Sequence, residues 1–559
     1  MGKPWLQEYP VGIAHDIGSL RYSSLTELFE DSCRRFHDLP AFTNMGTVMT
    51  YAELDETSRH FAAYLQARHG MRPGDRLAIM LPNLLQYPVV LFGALRAGLV
   101  IVNCNPLYAA RELEYQLKDS GATAIVVLEN AAHTVQEIIG KTALRTVIVT
   151  RIGDMFPPIK AWATNLVVRY LKRMVVPWQL DSAVRFKAAL IEGEQLALAP
   201  VSRCQDDIAF LQYTGGTTGI PKGAMLTHGN MIANLQQISA WIAPALEEGC
   251  ETVVTALPLY HVFALTTNLL TFLKWGGNNV LITDPRGIRR FVKELGTLRF
   301  TVITGVDTLF KAMLRDPEIR HIDTGALKLA VAGGMAVERD VARDWMEFTG
   351  KPLIEGYGLT EASPLVAANR LDTKEYTGMA GLPVPSTEVT FHDDDGNELA
   401  LGHVGELWVR GPQVMKGYWN RPDESAKVLS AEGWLRTGDM GYMDERGYIK
   451  ITDRKKDVIV VSGFKVFPNE VEEVVAMHPG VLEVAAIGAP DDRSGEVVKI
   501  VVVKRHPNLT AEELIAYCTQ QLTAYKVPKV VQFRDTPLPK SAIGKPLRRL
   551  IRDEMRKST

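Results

Sequence analysis

One stretch of the chain, Tyr213-Thr-Gly-Gly-Thr-Thr-Gly-Ile-Pro-Lys-Gly223, carries the residue types that bind phosphate. Glycines in such a loop can adopt positive φ angles and turn backbone N–H groups into a concave nest for anionic oxygens. Threonine hydroxyls and a lysine ammonium add further donors. The residues predicted to bind phosphate are Thr214, Gly215, Gly216, Thr217, Thr218, Gly219 and Lys222. Taken alone, the loop is equally compatible with a flexible surface turn.

The residues around this phosphate loop predict the elements that position it. The apolar run Ile208–Leu211 predicts a strand before the loop, and Thr227 with Asn230 begins a helical pattern after it. A strand, a loop and then a helix form an arrangement that presents N–H donors to a nucleotide phosphate. The Walker A pattern requires Ser or Thr after its lysine, whereas Gly223 follows Lys222 here, which disfavours a P-loop hydrolase.

Composition bounds the class of protein. At 559 residues the chain is too long for one core, and its length suggests about three or four structural units. The net charge of −2 provides no basic field for nucleic acid. Five scattered cysteines without a C-x-x-C pair argue against a disulfide framework or a zinc site. No apolar signal region follows Met1 and no stretch has the length of a membrane span, so the expected location is the cytoplasm.

Apolar runs alternate with helical patterns over most of the chain, which predicts βαβ units and parallel sheets. The expected strands are Arg76–Leu81, Val100–Val102, Ala124–Leu128, Val253–Leu257, Val280–Ile282, Thr301–Ile303, Leu327–Ala332 and Leu353–Glu355. From about Thr377 short strands and turns indicate a β-rich subdomain, and a small unit with a helix at Pro468–Met477 follows. The predicted fold class is therefore α/β, with a large N-terminal part and a small α+β C-terminal part.

Residues 155–180 differ from the rest of the chain. This basic segment contains no acidic residue, and its apolar residues and tryptophans alternate with Lys160, Arg169, Lys172 and Arg173. The pattern is typical of helices at a membrane interface, which makes peripheral membrane contact one hypothesis. A surface helix that packs on a sheet and keeps its charges in water explains the same pattern.

Several predicted strands end in sequences suited to ligand binding. These segments are Leu257–Phe263, which contains His261, then Ala330–Met335, Gly356–Glu361 and Trp434–Asp439. Ligands of open parallel sheets bind beyond the carboxyl ends of the strands, so the segments are expected to share one site. Each residue also has a plainer interpretation. His261 suits a hydrogen-bonded structural histidine, Asp439 a turn residue and Lys545 a solvated loop lysine.

The order of these segments resembles the adenylate-forming superfamily of acyl-CoA synthetases, peptide-synthetase adenylation domains and luciferases. The matching segments are the phosphate loop, the His261 segment, Gly356-Tyr-Gly-Leu-Thr-Glu361, Thr437-Gly-Asp439, Asp453-Arg-Lys-Lys-Asp457 and Gly544-Lys545. The resemblance covers essentially the whole chain. Four stretches resemble, within this superfamily, the bacterial long-chain fatty-acid–CoA ligases. They are Leu84–Pro88, Asn105–Tyr108, Leu211–Gly219 and Gly411–Trp419. One departure is Lys465, where that branch usually has asparagine.

The resemblance implies a two-step reaction with ATP, a fatty acid and coenzyme A as substrates and Mg²⁺ as cofactor. The carboxylate attacks the α-phosphate of ATP to give acyl-AMP and pyrophosphate, and the coenzyme A thiol then displaces AMP. The implied domains are an adenylation domain over 1–452, with the β-rich subdomain at about 377–452, and a mobile C-terminal domain over 453–559 with a hinge at Asp453.

Other readings stay open beside this one. They include a ligase for medium-chain or aryl acids, release of acyl-AMP to a carrier protein, and a non-catalytic acyl or nucleotide binder. The presence of Lys545 and Glu361 argues against the binder. A homodimer and a peripheral position on the cytoplasmic face of the inner membrane are further hypotheses.

The resemblance also implies roles for single residues. Lys545 would bridge the carboxylate and the α-phosphate, His261 would border the carboxylate and help to admit coenzyme A, and Glu361 would bind Mg²⁺. Gly463 would line the pantetheine tunnel, and Leu265 and Val306 the acyl tunnel. The remaining nucleotide contacts would be Gly334, Met335, Tyr357, Gly358, Thr360, Asp439 and Arg454.

Overall fold

The computed structural model describes residues 2–214, 220–491, 493–541, 544 and 546–556. The first strands are β1 Pro40–Asn44, β2 Thr47–Thr50, β3 Arg76–Met80, β4 Val100–Asn103, β5 Ala124–Leu128, β6 Thr146–Thr150, β7 Val184–Arg185, β8 Ile208–Thr214 and β9 Lys222–Thr227. The helices among them are α1 Leu25–Arg35, α2 Tyr51–His69, α3 Gln86–Arg96, α4 Ala110–Ser120, α5 Ala132–Ile138, α6 Pro158–Leu166, α7 Phe186–Glu194 and α8 His228–Ile242.

The first sheet has the strand order β7-β6-β5-β3-β4-β8-β9. All neighbours are parallel except β9, which runs antiparallel to β8. The strands predicted at Arg76–Leu81, Val100–Val102 and Ala124–Leu128 are confirmed as β3, β4 and β5. Their near-continuous apolar sequences follow from burial on both faces, which is the usual position of parallel strands in α/β proteins.

The second sheet begins after α8. Its further strands are β10 Thr252–Thr255, β11 Asn278–Leu281, β12 Val302–Gly305, β13 Leu329–Gly333, β14 Leu353–Gly358, β15 Leu365–Ala368 and β16 Leu382–Pro383. The helices between them are α9 Thr271–Lys274, α10 Ile288–Leu295, α11 Asp307–Arg315 and α12 Arg339–Thr349. The strand order is β16-β15-β14-β13-β12-β10-β11-β1-β2, with parallel pairing from β1 to β14. All five strands predicted for this region are confirmed, each within a few residues of its expected bounds.

Two smaller sheets complete the chain. Their strands are β17 Glu388–His392, β18 Gly405–Arg410, β19 Leu435–Met443, β20 Ile449–Arg454, β21 Ile459–Val461, β22 Phe464–Val466, β23 Val481–Asp491, β24 Gly495–Lys504 and β25 Val530–Arg534. The helices are α13 Pro422–Val428, α14 Pro468–Ala476, α15 Ala511–Gln521 and α16 Arg548–Arg556. The third sheet, β17-β18-β19-β20, is antiparallel, and the fourth has the order β22-β21-β24-β23 with β25 parallel to β24.

The basic segment forms α6 and then a π-helical turn at Val167–Leu171. Within these two elements only Ala161 is buried, whereas four large apolar side chains are between two-thirds and nine-tenths exposed: Ile159, Trp162, Tyr170 and Leu171. The segment packs on the main hydrophobic core through Ala161 and Val168 and presents these four apolar side chains to solvent. No helix in the described part of the chain is long and apolar enough to cross a bilayer.

Candidate active site

The phosphate loop connects two antiparallel strands. Thr214 at the end of β8 pairs with Lys222 at the start of β9, and the predicted binding residues between them lie outside the described residues: Gly215, Gly216, Thr217, Thr218 and Gly219. The predicted strand–loop–helix order is wrong, because β9 separates the loop from α8. The helix does begin as predicted, with Thr227 and Asn230 capping it reciprocally. Phosphate binding would thus depend on the loop, since α8 does not begin there.

Three of the predicted nucleotide residues form one bonded group. The Tyr357 hydroxyl donates to Asp439 Oδ2 at 2.5 Å, and Arg454 Nε lies 2.6 Å from Asp439 Oδ1. The pairing of β19 with β20 places Asp439 opposite Arg454, so Asp439 lies in a strand and not in a turn. The charge of Asp439 raises the pKa of Arg454 above its usual value, and desolvation raises that of Tyr357. The group combines a buried anion with donors suited to hydroxyl recognition.

Glycines allow close approach at this end of the second sheet. A Cβ on Gly358 would lie 2.2 Å from the Pro364 carbonyl oxygen, so no side chain fits there. Gly334 has φ +78°, a conformation that glycine adopts without a Cβ penalty. Met335 follows it and packs against the main hydrophobic core, whereas Thr360 begins a short 3₁₀ turn with Glu361.

Glu361 is connected to the phosphate-loop lysine through an aromatic residue. The Tyr418 hydroxyl donates to Glu361 Oε1 at 2.8 Å, and Lys222 Nζ lies 5.0 Å from the centroid of the Tyr418 ring. Lys222 also forms an ion pair with Glu424 at 2.5 Å. The lysine therefore lies in the same group of side chains as the predicted metal ligand.

The His261 segment is fixed by hydrogen bonds from the first sheet and its helices. Asn83 Nδ2 donates to the Leu257 carbonyl, the Tyr87 hydroxyl lies 2.9 Å from the Leu259 carbonyl, and Gln212 Nε2 donates to the Tyr260 carbonyl at 2.7 Å. Desolvation lowers the pKa of His261 to about 4, so its imidazole is neutral at physiological pH.

The two residues predicted to line an acyl tunnel belong to one apolar cluster. Leu265 and Val306 are both buried in the main hydrophobic core, with Leu257, Leu259 and Val262 among its members. Leu265 lies in a π-helical segment, Ala264–Leu270, and Val306 immediately precedes α11. π-Helical turns are often found at functional sites, which agrees with a tunnel wall at this position.

The predicted hinge residue has a buried, fully engaged carboxylate. Asp453 Oδ1 accepts from Arg548 Nη1 at 2.7 Å, and its Oδ2 accepts from the Asn469 backbone N–H at 2.7 Å. Arg548 also bonds Glu472 on α14. Asp453 lies near the end of β20 and is only 2% exposed, so its carboxylate is part of the folded interior.

Of the two residues predicted to act from the C-terminal part, the structure describes Gly463. Lys545 is outside the described residues, but Gly544 before it lies against α11, since a Cβ there would be 2.7 Å from Thr308 Oγ1. A Cβ on Gly463, between β21 and β22, would meet no atom within 4 Å. The space beside Gly463 is therefore open, and its role at a pantetheine tunnel stays a prediction.

Several residues of the site were not predicted. Tyr87, Gln212 and Tyr418 lie in stretches that carried the family resemblance, without an assigned role. Glu355 on β14 is 8% exposed with an unpartnered Oε1, and its desolvation raises its pKa to about 8. A charged residue within an apolar strand was the signal that could have identified Glu355.

The donor set near Glu361 suits Mg²⁺ that is bound through a single carboxylate. The described residues contain no group of three or more His, Cys, Asp or Glu side chains arranged to hold a metal. Mg²⁺ commonly uses one or two carboxylates together with water and substrate phosphates. A single carboxylate such as Glu361 fits that mode.

Comparisons with known proteins show the family of the chain. The family model for "AMP-binding enzyme" matches residues 29–419, and that for "AMP-binding enzyme C-terminal domain" matches 470–545. A long-chain-fatty-acid–CoA ligase of Yersinia pestis is 56% identical over 99% of this chain and 98% of its own. A Bacillus subtilis (strain 168) ligase of the same name is 38% identical over 99% and 98%.

A solved structure gives the same result for the fold. ATP-bound MatB from Rhodopseudomonas palustris matches with a TM-score of 0.80 at 28% identity, over 95% of this chain and 98% of that one. Both the sheets and the C-terminal α+β unit are thus those of adenylate-forming enzymes. The chain belongs to the AMP-binding enzyme family.

Proposed function

We propose that this protein is an AMP-forming long-chain fatty-acid–CoA ligase. The observation that carries the proposal is the bonded group Tyr357–Asp439–Arg454 beside Glu361, in a chain 56% identical over nearly its full length to a ligase of that name. The substrates are a fatty acid, ATP and coenzyme A. The products are acyl-CoA, AMP and pyrophosphate.

In the first half-reaction the site residues hold the fatty-acid carboxylate close to the α-phosphate of ATP. The phosphate loop and Lys222 bind the β- and γ-phosphates, Thr360 bonds the α-phosphate, and Asp439 accepts from the ribose hydroxyls. Gly334, Met335, Tyr357 and Gly358 border the adenine, and Arg454 orients Asp439. Lys545 would act between the substrate carboxylate and the α-phosphate, where a positioned cation offsets the repulsion between them. Glu361 would hold Mg²⁺, which would supply further neutralisation of negative charge.

The second half-reaction requires a different arrangement of the C-terminal part. A Cβ on Gly463 would meet open space, while the residue before Lys545 lies against α11. A mobile C-terminal domain over 453–559, with a hinge at Asp453, would bring each of these two positions to the site in turn. His261 borders the carboxylate, and its neutral imidazole can hydrogen-bond the entering thiol without adding charge.

Lys545 provides a direct test of the two-step scheme. Lys545→Ala should lower acyl-AMP formation by about 100-fold or more, because it removes the cation assigned to the position between the two anions. Thioesterification of supplied acyl-AMP should keep much of its rate. Adenylation is measured by exchange of labelled pyrophosphate into ATP, and thioesterification by release of AMP. Equal loss of both half-reactions would contradict the role assigned to Lys545.

The substrate class is tested with the wild-type enzyme. Coenzyme A-dependent release of AMP is measured for acids from acetate to oleate and for an aryl acid. The aryl acid is included because a feruloyl-CoA synthase of Amycolatopsis is 35% identical. A maximum with long-chain acids supports the proposal and measures the depth of the tunnel at Leu265 and Val306. Release of AMP without a preference for long-chain acids would contradict the assigned substrate class. Binding of ATP with no release of AMP for any acid would favour a non-catalytic acyl or nucleotide binder.

We also propose that the basic segment contacts the surface of an anionic membrane. Trp162, Tyr170 and Leu171 expose about 70% of their surface, and Lys172 and Arg173 beside them are exposed. Exposed aromatic and aliphatic side chains next to cations are suited to the boundary between headgroups and acyl chains. Arg169 contributes less charge, because it is paired with Glu129 at 3.2 Å.

Vesicle binding tests this contact. Changing Trp162 and Leu171 to serine should weaken sedimentation with phosphatidylglycerol vesicles at least tenfold, roughly the effect of losing one buried apolar side chain. Ile191→Ser is the matched control, since Ile191 is 68% exposed on α7 outside the segment. Equal binding by wild type, the double variant and Ile191→Ser would contradict membrane contact through the basic segment. Sedimentation velocity without vesicles tests the homodimer hypothesis.

A further inference from the structure

The phosphate-loop lysine already has an anionic partner within the chain. Lys222 Nζ lies 2.5 Å from Glu424 Oε2, and the two side chains are 21% and 34% exposed. Glu424 belongs to the first turn of α13 and also bonds Lys427. The hydrogen bond from Lys222 and that from Lys427 lower the pKa of Glu424 to about 2, so the carboxylate is ionised at any working pH.

The backbone fixes Glu424 near this lysine. The Met225 N–H donates to the Gly417 carbonyl, the Trp419 N–H donates to the Gly223 carbonyl, and Ala224 forms a β-bridge with Tyr418. The segment leading into α13 is therefore paired with β9, the strand that begins with Lys222. The contact is a consequence of the fold, in contrast to an ion pair made by two long side chains at the surface.

A second set of contacts anchors the start of α13 on the first sheet. Arg421 is paired with Asp119 at 3.0 Å, and the Tyr115 hydroxyl donates to the Pro221 carbonyl. Both α13 and the residue before Lys222 are thus held from α4. These bonds keep the backbone of Glu424 within reach of Lys222, so an incoming phosphate meets a lysine that already has an anionic partner.

We propose that Glu424 is a positioning residue that competes with the phosphates of ATP for Lys222. This inference rests on the proposed function, because it assumes that Lys222 binds the β- and γ-phosphates. One ammonium group shared by a carboxylate and a phosphate binds each less strongly, and the two anions repel each other. Glu424 therefore weakens ATP binding and favours departure of pyrophosphate, after which it takes Lys222 back.

The competition predicts a defined change in Glu424→Gln, which keeps the shape and removes the charge. The KM for ATP and the inhibition constant for pyrophosphate should both fall about two- to fivefold, the range expected for a partly exposed ion pair. Thioesterification of supplied acyl-AMP involves no β- or γ-phosphate, so its rate should not change. Asp423→Asn is the matched control, because it removes the same charge from the neighbouring position of α13.

Binding of a non-hydrolysable ATP analogue, measured by calorimetry on the full chain, separates this inference from the proposed function. Tighter binding by Glu424→Gln than by wild type and Asp423→Asn supports competition for Lys222, even if no acid tested gives AMP. Unchanged or weaker binding of the analogue would overturn the inference. Unchanged binding would mean that the Glu424 carboxylate has no effect on phosphate binding, and weaker binding that it is required to orient Lys222. Equal thermal unfolding of the three proteins excludes a folding effect.

Discussion

At the scale of single residues, the candidate site consists of charges that hold one another in place. Asp439 is 3% exposed and is bonded to both Tyr357 and Arg454, so its negative charge is fixed before any nucleotide arrives. A preformed acceptor of this kind costs no reorganisation when hydroxyl groups bind.

Asp439→Asn should lower acyl-AMP formation about 10- to 100-fold, because it replaces charge-assisted hydrogen bonds by neutral ones and leaves Arg454 without its anion. Pyrophosphate exchange at varied ATP concentration measures the loss, which should include a higher KM for ATP. Asp444→Asn in the β19–β20 turn is a control for removal of one charge from the same sheet. A variant with wild-type KM would show that Asp439 does not contact the nucleotide.

Glu355 predicts a pH dependence of stability. Desolvation raises its pKa from 4.5 to about 8, partly opposed by Lys450. A carboxyl group whose pKa is higher in the folded state contributes stability that is lost as pH rises from about 4.5 to 8 and is fully lost above 8. Wild-type protein should lose about 1 kcal/mol of unfolding free energy from this group between pH 7 and pH 9.

Glu355→Gln should remove that part of the loss, because an amide resembles the neutral acid and does not ionise. Urea unfolding at pH 7 and pH 9 measures the difference between the two proteins. Identical pH dependence in wild type and variant would mean that Glu355 ionises near its ordinary pKa. The low pKa of His261 does not interfere, because that group is neutral throughout this range.

Among the helices and strands, several strands end at candidate site residues. Side chains from neighbouring elements hold the loops that follow these strands. The His261 segment follows β10, yet its carbonyl groups are bonded by Asn83, Tyr87 and Gln212 from other elements. The position of His261 thus depends on the contact between the two large sheets.

Tyr87→Phe should lower the free energy of unfolding by about 1–2 kcal/mol, because the buried carbonyl of Leu259 and the amide of Asn103 lose a partner. It should also slow thioesterification severalfold by loosening the His261 segment. Tyr51→Phe is the matched control, since its buried hydroxyl bonds carbonyls at 272, 273 and 277 instead. Equal effects of both variants on thioesterification would disprove the specific role of Tyr87.

At the scale of the whole molecule, the C-terminal part is joined to the rest by ion pairs as well as by the chain. Lys465, which departs from the branch pattern, lies 2.8 Å from Asp394 in the third sheet, and Lys455 is paired with Asp394 and Glu406. These exposed pairs are individually weak, so they can break and re-form during a rotation.

Asp453→Pro should slow thioesterification at least tenfold more than adenylation, because proline restricts the φ angle at the proposed hinge. Asp453→Ala is the matched control, as it also loses the bonds to Arg548 and Asn469 but keeps a free φ angle. Rates of the two half-reactions are measured separately for each variant. Similar ratios in Pro and Ala variants would place the hinge elsewhere.

The fold class, most strands and the choice of candidate residues could be predicted from the amino-acid sequence. Buried parallel strands require apolar runs, and positive φ angles or close backbone contacts require glycines such as Gly334 and Gly358. These requirements act locally, so they can be recognised along the chain. The helix that begins after Thr227 could be recognised for the same reason.

The contacts between side chains that are distant in sequence could be seen only in the folded chain. The pairing of β8 with β9 showed that no helix begins at the phosphate loop, and the register of β19 with β20 brought Asp439 to Arg454. Glu424 reaches Lys222 across 202 positions of the chain. Contacts of this kind depend on how sheets and helices pack, and the spacing of residues along the chain contains no direct record of that packing.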